Sequence, residues 1–395
     1  MKLLIVCQYY APEPFQITGI CEELAERGHD VTVLTGMPNY PMGKIYEGYR
    51  HGERTDERLN GVTIHRCREI GRHGGIVRRV INYYSFSISS TRYAARLNED
   101  YDAVLVYQLS PVMMARAGIR YKKRHNKKLV LYCLDLWPES LITGGVRRNS
   151  PLYRLYRHVS ARIYRQADRI LISSQSFAEY FHDTFGLSDT TYLPQYAETF
   201  FSPDACRKKP GRTVDLMFAG NIGTAQSVGT IVRTAALLKD VPDLCFHIVG
   251  DGSDAGRVRQ LAAALKVQSV IFHGWHSPQE MPSYYAMADA MLVTMQKDSV
   301  LSRTLPGKVQ TYLAAGKPIL GAVEGETSRL ITETQCGYCA PAENAEELAR
   351  ICRQFVAGRS EWESLGERSA AVYRERFTKK QFIDTLEKIL EEACS

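Results

Sequence analysis

Residues 215–226 read DLMFAGNIGTAQ, an apolar run that passes directly into a loop containing glycine. A short apolar run bounded by a turn signal is typical of a strand buried on both faces of a parallel sheet. The predicted strand is Asp215–Ala219, and the loop 220–226 follows its carboxyl end. Open parallel sheets bind ligands at that end of their strands, so this segment predicts an α/β fold and a place for a ligand.

The same alternation of apolar strand and polar helix continues on both sides of this segment. Further strands are predicted at Leu3–Cys7, Val31–Leu34, Val62–Arg66, Ala103–Tyr107, Leu129–Cys133, Arg169–Ser173, Cys245–Val249, Val270–Phe272, Ala290–Thr294 and Pro318–Ala322. Helices are predicted at Thr18–Arg27, Val112–Arg124 and Pro151–Gln166. The series favours two Rossmann-like, doubly wound parallel-sheet domains in tandem.

The chain of 395 residues is long enough for two such domains. We expect an N-terminal domain over 1–195, a linker over 196–212, a C-terminal domain over 213–378, and a helix over 379–395 that could pack back on the first domain. Prolines and a basic cluster in 193–212 are typical of a linker. Two sheets facing one another would form a cleft lined by loops from both.

The composition and a few short motifs indicate where the protein is located and argue against a metal site. No run of about 18 apolar residues is present, and the N-terminus MKLLIVCQYYAPEP reads as a buried strand and not as a signal peptide. Ten scattered cysteines suit a reducing compartment, so a cytoplasmic location is expected. Cys336 and Cys339 form the one CxxC and read as a structural pair. Asp100 and Asp102 precede their strand, so no metal site is predicted there.

Basic residues are concentrated in one part of the chain. Residues 60–170 carry 21 Lys and Arg against 7 Asp and Glu, interleaved with aromatic side chains. This mixture suits the anionic inner leaflet of a membrane, with the protein peripheral on it; a solvated basic face is the alternative. Nucleic acid is not expected as a partner, since the sequence contains no helix-turn-helix, RNA-binding or zinc-finger pattern.

Loops after the predicted strands supply the candidate binding residues. The first loop, 7–18, lacks the GxGxxG of dinucleotide folds, which argues against a dehydrogenase; it either faces a ligand or is a plain turn. In the second half, Gly220 and Gly223 let the backbone approach a phosphate, and Thr224 or Gln226 could donate hydrogen bonds. Gly250, Asp251 and Gly252 could hold a base or ribose, or could form only a tight turn.

The segment 303–320, RTLPGKVQTYLAAGKPIL, places two cations at the predicted start of a helix. Arg303 and Lys308 would then act together with the helix dipole on one point. Glycosyl transfer needs such positive charge, because the departing nucleoside diphosphate becomes more negative as the glycosidic bond breaks.

Several motifs together resemble family 4 glycosyltransferases, in the branch seen in capsule, O-antigen and colanic-acid-type polysaccharide assembly. The motifs are GHDVTVLT at 28–35, MPNYPMGKIYEGY at 37–49, DLWPES at 135–140, GNIGTAQ at 220–226, LPGK at 305–308 and AAGKP at 314–318. The resemblance covers nearly the whole chain. It implies a GT-B fold, a retaining mechanism, a nucleotide-sugar donor that is UDP-linked, and no required cofactor or metal. A basic face on the inner leaflet would meet a polyprenyl-diphosphate-linked acceptor there, so we expect that acceptor or a saccharide, with Phe15, Gln16, Asn39 and Tyr40 on the acceptor side.

The sequence departs from the broad family in three places. Arg303 and Thr311 stand where the Glu-x7-Glu signature would fall, which leaves Gln310, Thr311 and Glu326 as candidates to bind the nucleoside. Asn221 and Gln226 replace the familiar Arg and Lys, which shifts phosphate binding to Arg303 and Lys308. Phe15 and Gln16 replace paired glycines of the first loop.

Acceptor activation calls for a carboxylate or histidine. Asp135, which follows a predicted strand, is the first candidate, although it could instead cap a helix; Glu139 is the second and Glu13 the third. The sequence therefore predicts a retaining glycosyltransferase of hexosyl or N-acetylhexosaminyl type. Two alternatives are a nucleotide-sugar 2-epimerase of the same fold and a non-catalytic sugar-nucleotide-binding subunit of an assembly complex.

Overall fold

The computed structural model describes residues 1–73, 75–143, 145–209, 211–297 and 300–394. The chain divides into two compact units. Unit 1 comprises Met1–Leu193 together with the residues from Ile383 onward, and unit 2 comprises Pro194–Phe382. Within the described ranges, no helix is both long and apolar enough to cross a membrane.

Unit 1 contains a sheet of eight strands in the order β3-β4-β2-β1-β5-β6-β7-β8, all parallel except β3. The strands are β1 Lys2–Val6, β2 Asp30–Gly36, β3 Asp56–Leu59, β4 Val62–Cys67, β5 Ala103–Gln108, β6 Lys128–Cys133, β7 Arg169–Ile172 and β8 Thr190–Tyr192. The helices of this unit are α1 Ile17–Glu26, α2 Ile76–Ala94, α3 Arg116–His125, α4 Ser140–Thr143, α5 Pro151–Tyr164 and α6 Ser176–Phe185.

Unit 2 contains a six-stranded parallel sheet in the order β11-β10-β9-β12-β13-β14. Its strands are β9 Val214–Ala219, β10 Leu244–Val249, β11 Val270–Gly274, β12 Ala290–Thr294, β13 Ile319–Ala322 and β14 Gly337–Ala340. Its helices are α7 Gly229–Leu237, α8 Ala255–Ala264, α9 Met281–Tyr285, α10 Gly307–Ala314, α11 Glu326–Thr334, α12 Ala345–Ala357 and α13 Trp362–Arg376. The last helix, α14 Lys379–Cys394, begins in unit 2 and continues in unit 1.

Apolar strands and amphipathic helices account for both cores. Strands β5 and β9 are buried along their whole length, which matches the continuous apolar runs expected of central parallel strands. In unit 2, two clusters of buried side chains pack on the sheet, one with α7, α8 and α12 and the other with α10 and α13. The predicted class, two doubly wound parallel-sheet α/β domains, is confirmed.

Each predicted strand is present, with ends that differ by a few residues. The helix predicted at Val112–Arg124 instead begins as a 3-10 turn over Val112–Ala115 before α3. Strand order reverses between β1 and β5 in unit 1 and between β9 and β12 in unit 2. Loops diverge at such reversals, and ligands of doubly wound sheets bind there.

Candidate functional site

In unit 2, the loops after β9 and β10 pack backbone against backbone. Gly220 N donates to Val249 O at 2.9 Å, and Ile222 N donates to Asp251 O at 2.9 Å. A Cβ on Gly250 would lie 1.9 Å from Gly220 O, and Gly250 has a φ of 132°. Only glycine fits there. The Gly-Asp-Gly sequence is therefore required by loop packing, and Asp251 accepts a hydrogen bond within the turn, from Gly252 N at 2.8 Å.

The predicted loop side chains bond to one another. Gln226 Oε1 accepts from Gly223 N at 3.2 Å and from Asn221 Nδ2 at 3.4 Å. Thr224 begins the 3-10 turn Thr224–Gln226, which Thr294 holds by donating to Gln226 O at 2.6 Å. The loop is thus fixed by its own side chains and by the strand β12.

Lys308 lies in the first turn of α10 and points at this loop. Its Nζ is 3.9 Å from the centroid of the Phe218 ring and 3.1 Å from the position that a Cβ would take on Gly220. Tyr312, one turn further along α10, fixes the helix by donating to Ala219 O at 3.1 Å. The ammonium is buried and has no hydrogen-bond partner among the residues that the structure describes. Burial lowers the pKa of Lys308 to about 7, because desolvation penalises the charged form.

The turn that carries Arg303 lies against the start of the helix that carries Glu326. Arg303 ends the 3-10 turn Leu301–Arg303, separate from α10, so it does not stand in the first turn of that helix. Glu326 is buried in the first turn of α11. A Cβ on the preceding Gly325 would lie 2.1 Å from Ser302 O, so the two turns are in direct contact.

Two of the predicted nucleoside-binding residues are engaged with α10 itself. Gln310 is fully buried, and with its amide nitrogen turned toward the start of α10 it donates to Pro306 O at 2.8 Å and to Gly307 O at 3.2 Å. Thr311 Oγ1 donates to Gly307 O at 3.1 Å. We define the unit 2 edge cluster as 220–226, 250–252, 303–308 and Glu326.

In unit 1, Glu13 is buried in the loop after β1. Its Oε1 accepts from Asn39 N at 2.8 Å and Tyr40 N at 2.6 Å, and its Oε2 accepts from Tyr10 N at 3.3 Å. Burial raises the pKa of Glu13 to about 7, against the effect of these three N–H groups. Glu13 thereby joins the loop after β1 to the loop after β2.

A second buried carboxyl group, Glu69, was not predicted. Its Oε1 accepts from Gln8 Nε2 at 2.8 Å, Asn82 Nδ2 at 2.6 Å and Asn39 Nδ2 at 3.3 Å. Burial raises its pKa to about 8. We define the unit 1 edge cluster as Gln8, Glu13, Asn39, Glu69 and Asn82.

Aromatic side chains border this cluster. Phe15 stacks on Tyr9 with ring centroids 5.0 Å apart and meets Tyr40 edge-on at 5.0 Å. The Arg72 guanidinium lies 4.5 Å from the centroid of Tyr40. Gln16 precedes α1 and lies beside Phe15 in sequence. These are the acceptor-side residues that the sequence predicted, together with Tyr9 and Arg72, which it did not.

The first catalytic candidate, Asp135, follows β6 and accepts from Ser110 N at 3.1 Å through Oδ2. Burial raises the pKa of Asp135. The pKa of Tyr83 on α2 is also raised, chiefly by burial, with contributions from Asp135 and Glu69. Tyr83 therefore lies within electrostatic range of both carboxyl groups.

The second candidate, Glu139, is buried and forms an ion pair with Arg148. Its Oε2 accepts from Arg148 at 2.8 Å and its Oε1 from the Tyr153 hydroxyl at 2.6 Å. Both oxygens are thus occupied by side chains that hold α5. Asp100 pairs with Lys127 at 2.8 Å. Across the described ranges, no group of three or more His, Cys, Asp or Glu side chains is arranged to hold a metal ion.

Sequence reasoning missed Glu69 although a signal for it was present. Glu69 follows β4 directly, at the same edge as the loops after β1 and β2. Asn82 lies within α2 and has no comparable signal, because helix packing alone brings it to Glu69.

Two family models match successive parts of the chain. The model of the glycosyl transferase 4-like domain matches residues 16–194, and that of glycosyl transferases group 1 matches residues 213–357. WcaI of Escherichia coli K12, named as a colanic acid biosynthesis glycosyl transferase, is 24% identical over 382 residues, 90% of this chain and 92% of its own.

Two solved structures share the fold over almost the entire chain. Sucrose-phosphate synthase from Thermosynechococcus elongatus has a TM-score of 0.77 at 16% identity and covers 99% of this chain and 98% of its own. Anabaena HepE, solved with UDP, has a TM-score of 0.73 at 13% identity and covers 99% of this chain and 100% of its own. The chain belongs to the family 4 glycosyltransferases and has the GT-B fold.

Proposed function

We propose that this glycosyltransferase moves a sugar, with retention of configuration, from a UDP-linked donor to a saccharide or polyprenyl-diphosphate-linked acceptor in polysaccharide biosynthesis. The name of WcaI supports the polysaccharide context. The UDP bound to HepE supports a UDP-linked donor. Retention and a hexosyl or N-acetylhexosaminyl donor rest on the family resemblance.

The buried ammonium of Lys308 is the observation that carries the donor assignment. An unpaired buried charge is costly, and a diphosphate beside Gly220 would supply the missing counter-charge. As the glycosidic bond breaks, the same ammonium would stabilise the leaving diphosphate. Arg303 is proposed to act beside it.

The nucleoside is proposed to bind near Glu326. Gln310 and Thr311 already bond to the backbone of α10. Glu326, a buried carboxyl group in the first turn of α11, is our candidate for the role of the absent Glu-x7-Glu carboxylate.

The acceptor is proposed to bind at the unit 1 edge. Phe15 and Tyr40 offer aromatic surface for a sugar ring, and Asp135 and Glu13 offer carboxyl groups with raised pKa values. The pKa of Glu13, about 7, suits a group that exchanges protons near neutral pH. Asp135 remains our first candidate for acceptor activation, while the ion pair of Glu139 favours a structural role.

Substitution of both cations tests this function. We expect Arg303→Ala/Lys308→Ala to abolish transfer from UDP-sugars while circular dichroism shows a folded chain. Lys239→Ala, at an exposed lysine of unit 2, is the matched control and should retain activity. Normal turnover by the double variant would contradict the proposal.

The same assay separates the two alternatives. Conversion of a UDP-sugar without any acceptor would indicate a 2-epimerase. Saturable UDP-sugar binding with neither transfer, conversion nor hydrolysis would indicate a non-catalytic subunit.

A membrane surface is proposed as a partner of unit 1, through an apolar–basic face on α2 and α5. Apolar side chains are exposed there, including Val77 at 72% and Leu155 at 57%. The hydroxyls of Tyr84 and Tyr156 lie 2.7 Å apart and join the two helices. An adjacent groove of about 430 Å³ is lined in part by Arg154, Arg157, His158 and Arg165. Exposed apolar groups beside arginines suit anionic headgroups at the cytoplasmic leaflet.

Vesicle sedimentation tests this face. The chain should bind vesicles containing phosphatidylglycerol more strongly than pure phosphatidylcholine, and Val77→Asp/Leu155→Asp should lose most of that binding. Leu237→Asp, at a 45% exposed leucine of unit 2, is the control. Equal binding by the double variant would show that the face makes no membrane contact.

A further inference from the structure

The hydrogen bonds of Glu69 are distributed unevenly over its two oxygens. Three amide N–H groups, from Gln8, Asn39 and Asn82, donate to Oε1. Oε2 is buried and has no hydrogen-bond partner among the residues that the structure describes. It lies against Gly36, where an added Cβ would come within 1.7 Å of it.

This pattern fits a neutral carboxylic acid better than a carboxylate. An ionised carboxylate has two equivalent oxygens that both accept hydrogen bonds, whereas the neutral acid has one carbonyl acceptor and one hydroxyl donor. Here Oε1 behaves as the carbonyl oxygen and Oε2 occupies the place of the hydroxyl.

The unit 1 edge cluster has more hydrogen-bond acceptors than donors. Gln8 Oε1 and Asn39 Oδ1 are also buried and have no hydrogen-bond partner within the described part of the chain. Unsatisfied buried acceptors are costly, and a proton on Glu69 Oε2 would give the cluster a donor that it otherwise lacks.

Asn39 connects Glu69 to the proposed acceptor side. Its side-chain nitrogen donates to Glu69, while its backbone nitrogen donates to Glu13 Oε1. The next residue, Tyr40, also donates its backbone N–H to Glu13 and packs on Phe15. The position of Asn39 therefore sets both a carboxyl group and an aromatic ring.

We propose that Glu69, as a neutral acid, is a positioning residue for the acceptor: it orients Asn39 and, through Asn39, Glu13 and Tyr40. The proposal rests on the proposed glycosyl transfer with the acceptor on unit 1. Ionisation of Glu69 would place a second negative charge beside Glu13 in a buried cluster and would weaken acceptor binding. Glutamine reproduces the neutral acid, with one carbonyl oxygen and one donor group in the same shape.

Charged and titratable groups on every neighbouring segment face this site. They are Tyr9 and Glu13 after β1, Cys67 and Arg72 around the end of β4, and Tyr83 on α2. Burial raises the pKa values of Tyr9, Cys67 and Tyr83, so these groups stay neutral near pH 8.

The experiment compares the KM for acceptor and for donor in wild type, Glu69→Gln and Glu69→Asp between pH 6 and 9. We divide the acceptor KM of the wild type by that of Glu69→Gln. This ratio should rise from about one at pH 6 to about tenfold at pH 9, because the wild type loses acceptor affinity at most tenfold per pH unit above the pKa of Glu69. The donor KM ratio should stay near one. In Glu69→Asp the side chain is one methylene shorter, so its carboxyl group no longer reaches the three donors and the acceptor KM should rise at every pH. Glu26→Gln, at an exposed glutamate, is the control and should match wild type.

Three outcomes would overturn the proposal: Glu69→Gln as impaired as Glu69→Asp at pH 6, an acceptor KM ratio that does not change with pH, or a Glu69→Asp variant indistinguishable from wild type.

Amide hydrogen exchange at Asn39 and Tyr40 needs no substrate. Glu69→Gln should preserve their protection at pH 6, and Glu69→Asp should reduce it. Absence of transfer with any acceptor would contradict the proposed function, while the exchange result would still decide the role of Glu69.

Discussion

The two edge clusters lie at equivalent places in two similar sheets but treat buried charge in opposite ways. In unit 1, Glu13 and Glu69 are surrounded by amide N–H groups, and burial raises their pKa values to about 7 and about 8. In unit 2, the Lys308 ammonium lies beside the Phe218 ring and Gly220, and burial lowers its pKa to about 7. The acids of the first cluster can be neutralised by protons, whereas the Lys308 ammonium has no hydrogen-bond partner among the residues that the structure describes.

This difference indicates that the unit 2 edge cluster is the one that would bind an anion. Acids with raised pKa values can become neutral by holding a proton, and amides then satisfy them. A buried ammonium gains most from a ligand that brings negative charge. The predictions below test that contrast.

The largest effect is expected from removing the buried cation. Lys308→Met should weaken UDP binding by at least about 100-fold, since charge-assisted bonds to a diphosphate are lost in a desolvated place. The free protein should not melt at a lower temperature, because the variant removes a buried unpaired charge. Isothermal titration calorimetry and thermal unfolding measure the two quantities; unchanged UDP affinity would remove the contrast between the clusters.

A smaller effect is expected on the pH dependence of stability. Folded Glu13 and Glu69 hold protons that the unfolded chain releases above about pH 4.5, so the free energy of unfolding should fall as pH rises from 5 to 8. Glu69→Gln should flatten this fall. Urea unfolding at several pH values measures it, and a profile of the same slope in the variant would show that Glu69 is ionised throughout.

The smallest effect is expected on UDP affinity above neutral pH. In the free protein, Lys308 loses its proton near pH 7. With a diphosphate bound, Lys308 would keep its proton at higher pH, so binding above pH 7 takes up a proton. Affinity should therefore fall at most tenfold per pH unit above 7. Calorimetry in buffers of different ionisation enthalpy detects the uptake, and Lys308→Met should abolish it.

Apolar runs were sufficient to predict the central strands, because burial on both faces leaves an unbroken signal such as that of β5. Strand β3 was missed because its sequence, DERL, is polar and only its partner β4 pairs with it. Helix α2 was missed because several of its apolar side chains are exposed, which obscures the periodicity.

The candidate site was predictable only in part. Glycines and Lys308 were found because loops after strands and helix starts have local signatures. Gln310 was predicted to bind the nucleoside, but it lies on the buried face of α10 with Val309 and Leu313. The hydrogen bonds of Glu69 with Asn39 and Asn82 join different segments of the sequence, and no local pattern specifies such a network.

The last helix has a consequence for how the chain is made. Arg27 pairs with Asp384 at 2.7 Å, and His29 meets Glu387 at 2.7 Å, while Ile383 and Leu390 are buried in the same stretch. A ribosome synthesises the residues of α14 from Ile383 onward only after the whole of unit 2 has been synthesised. Unit 1 therefore cannot complete its packing when residues 1–193 have been made, and an early-made surface around Arg27 stays uncovered until α14 has been synthesised.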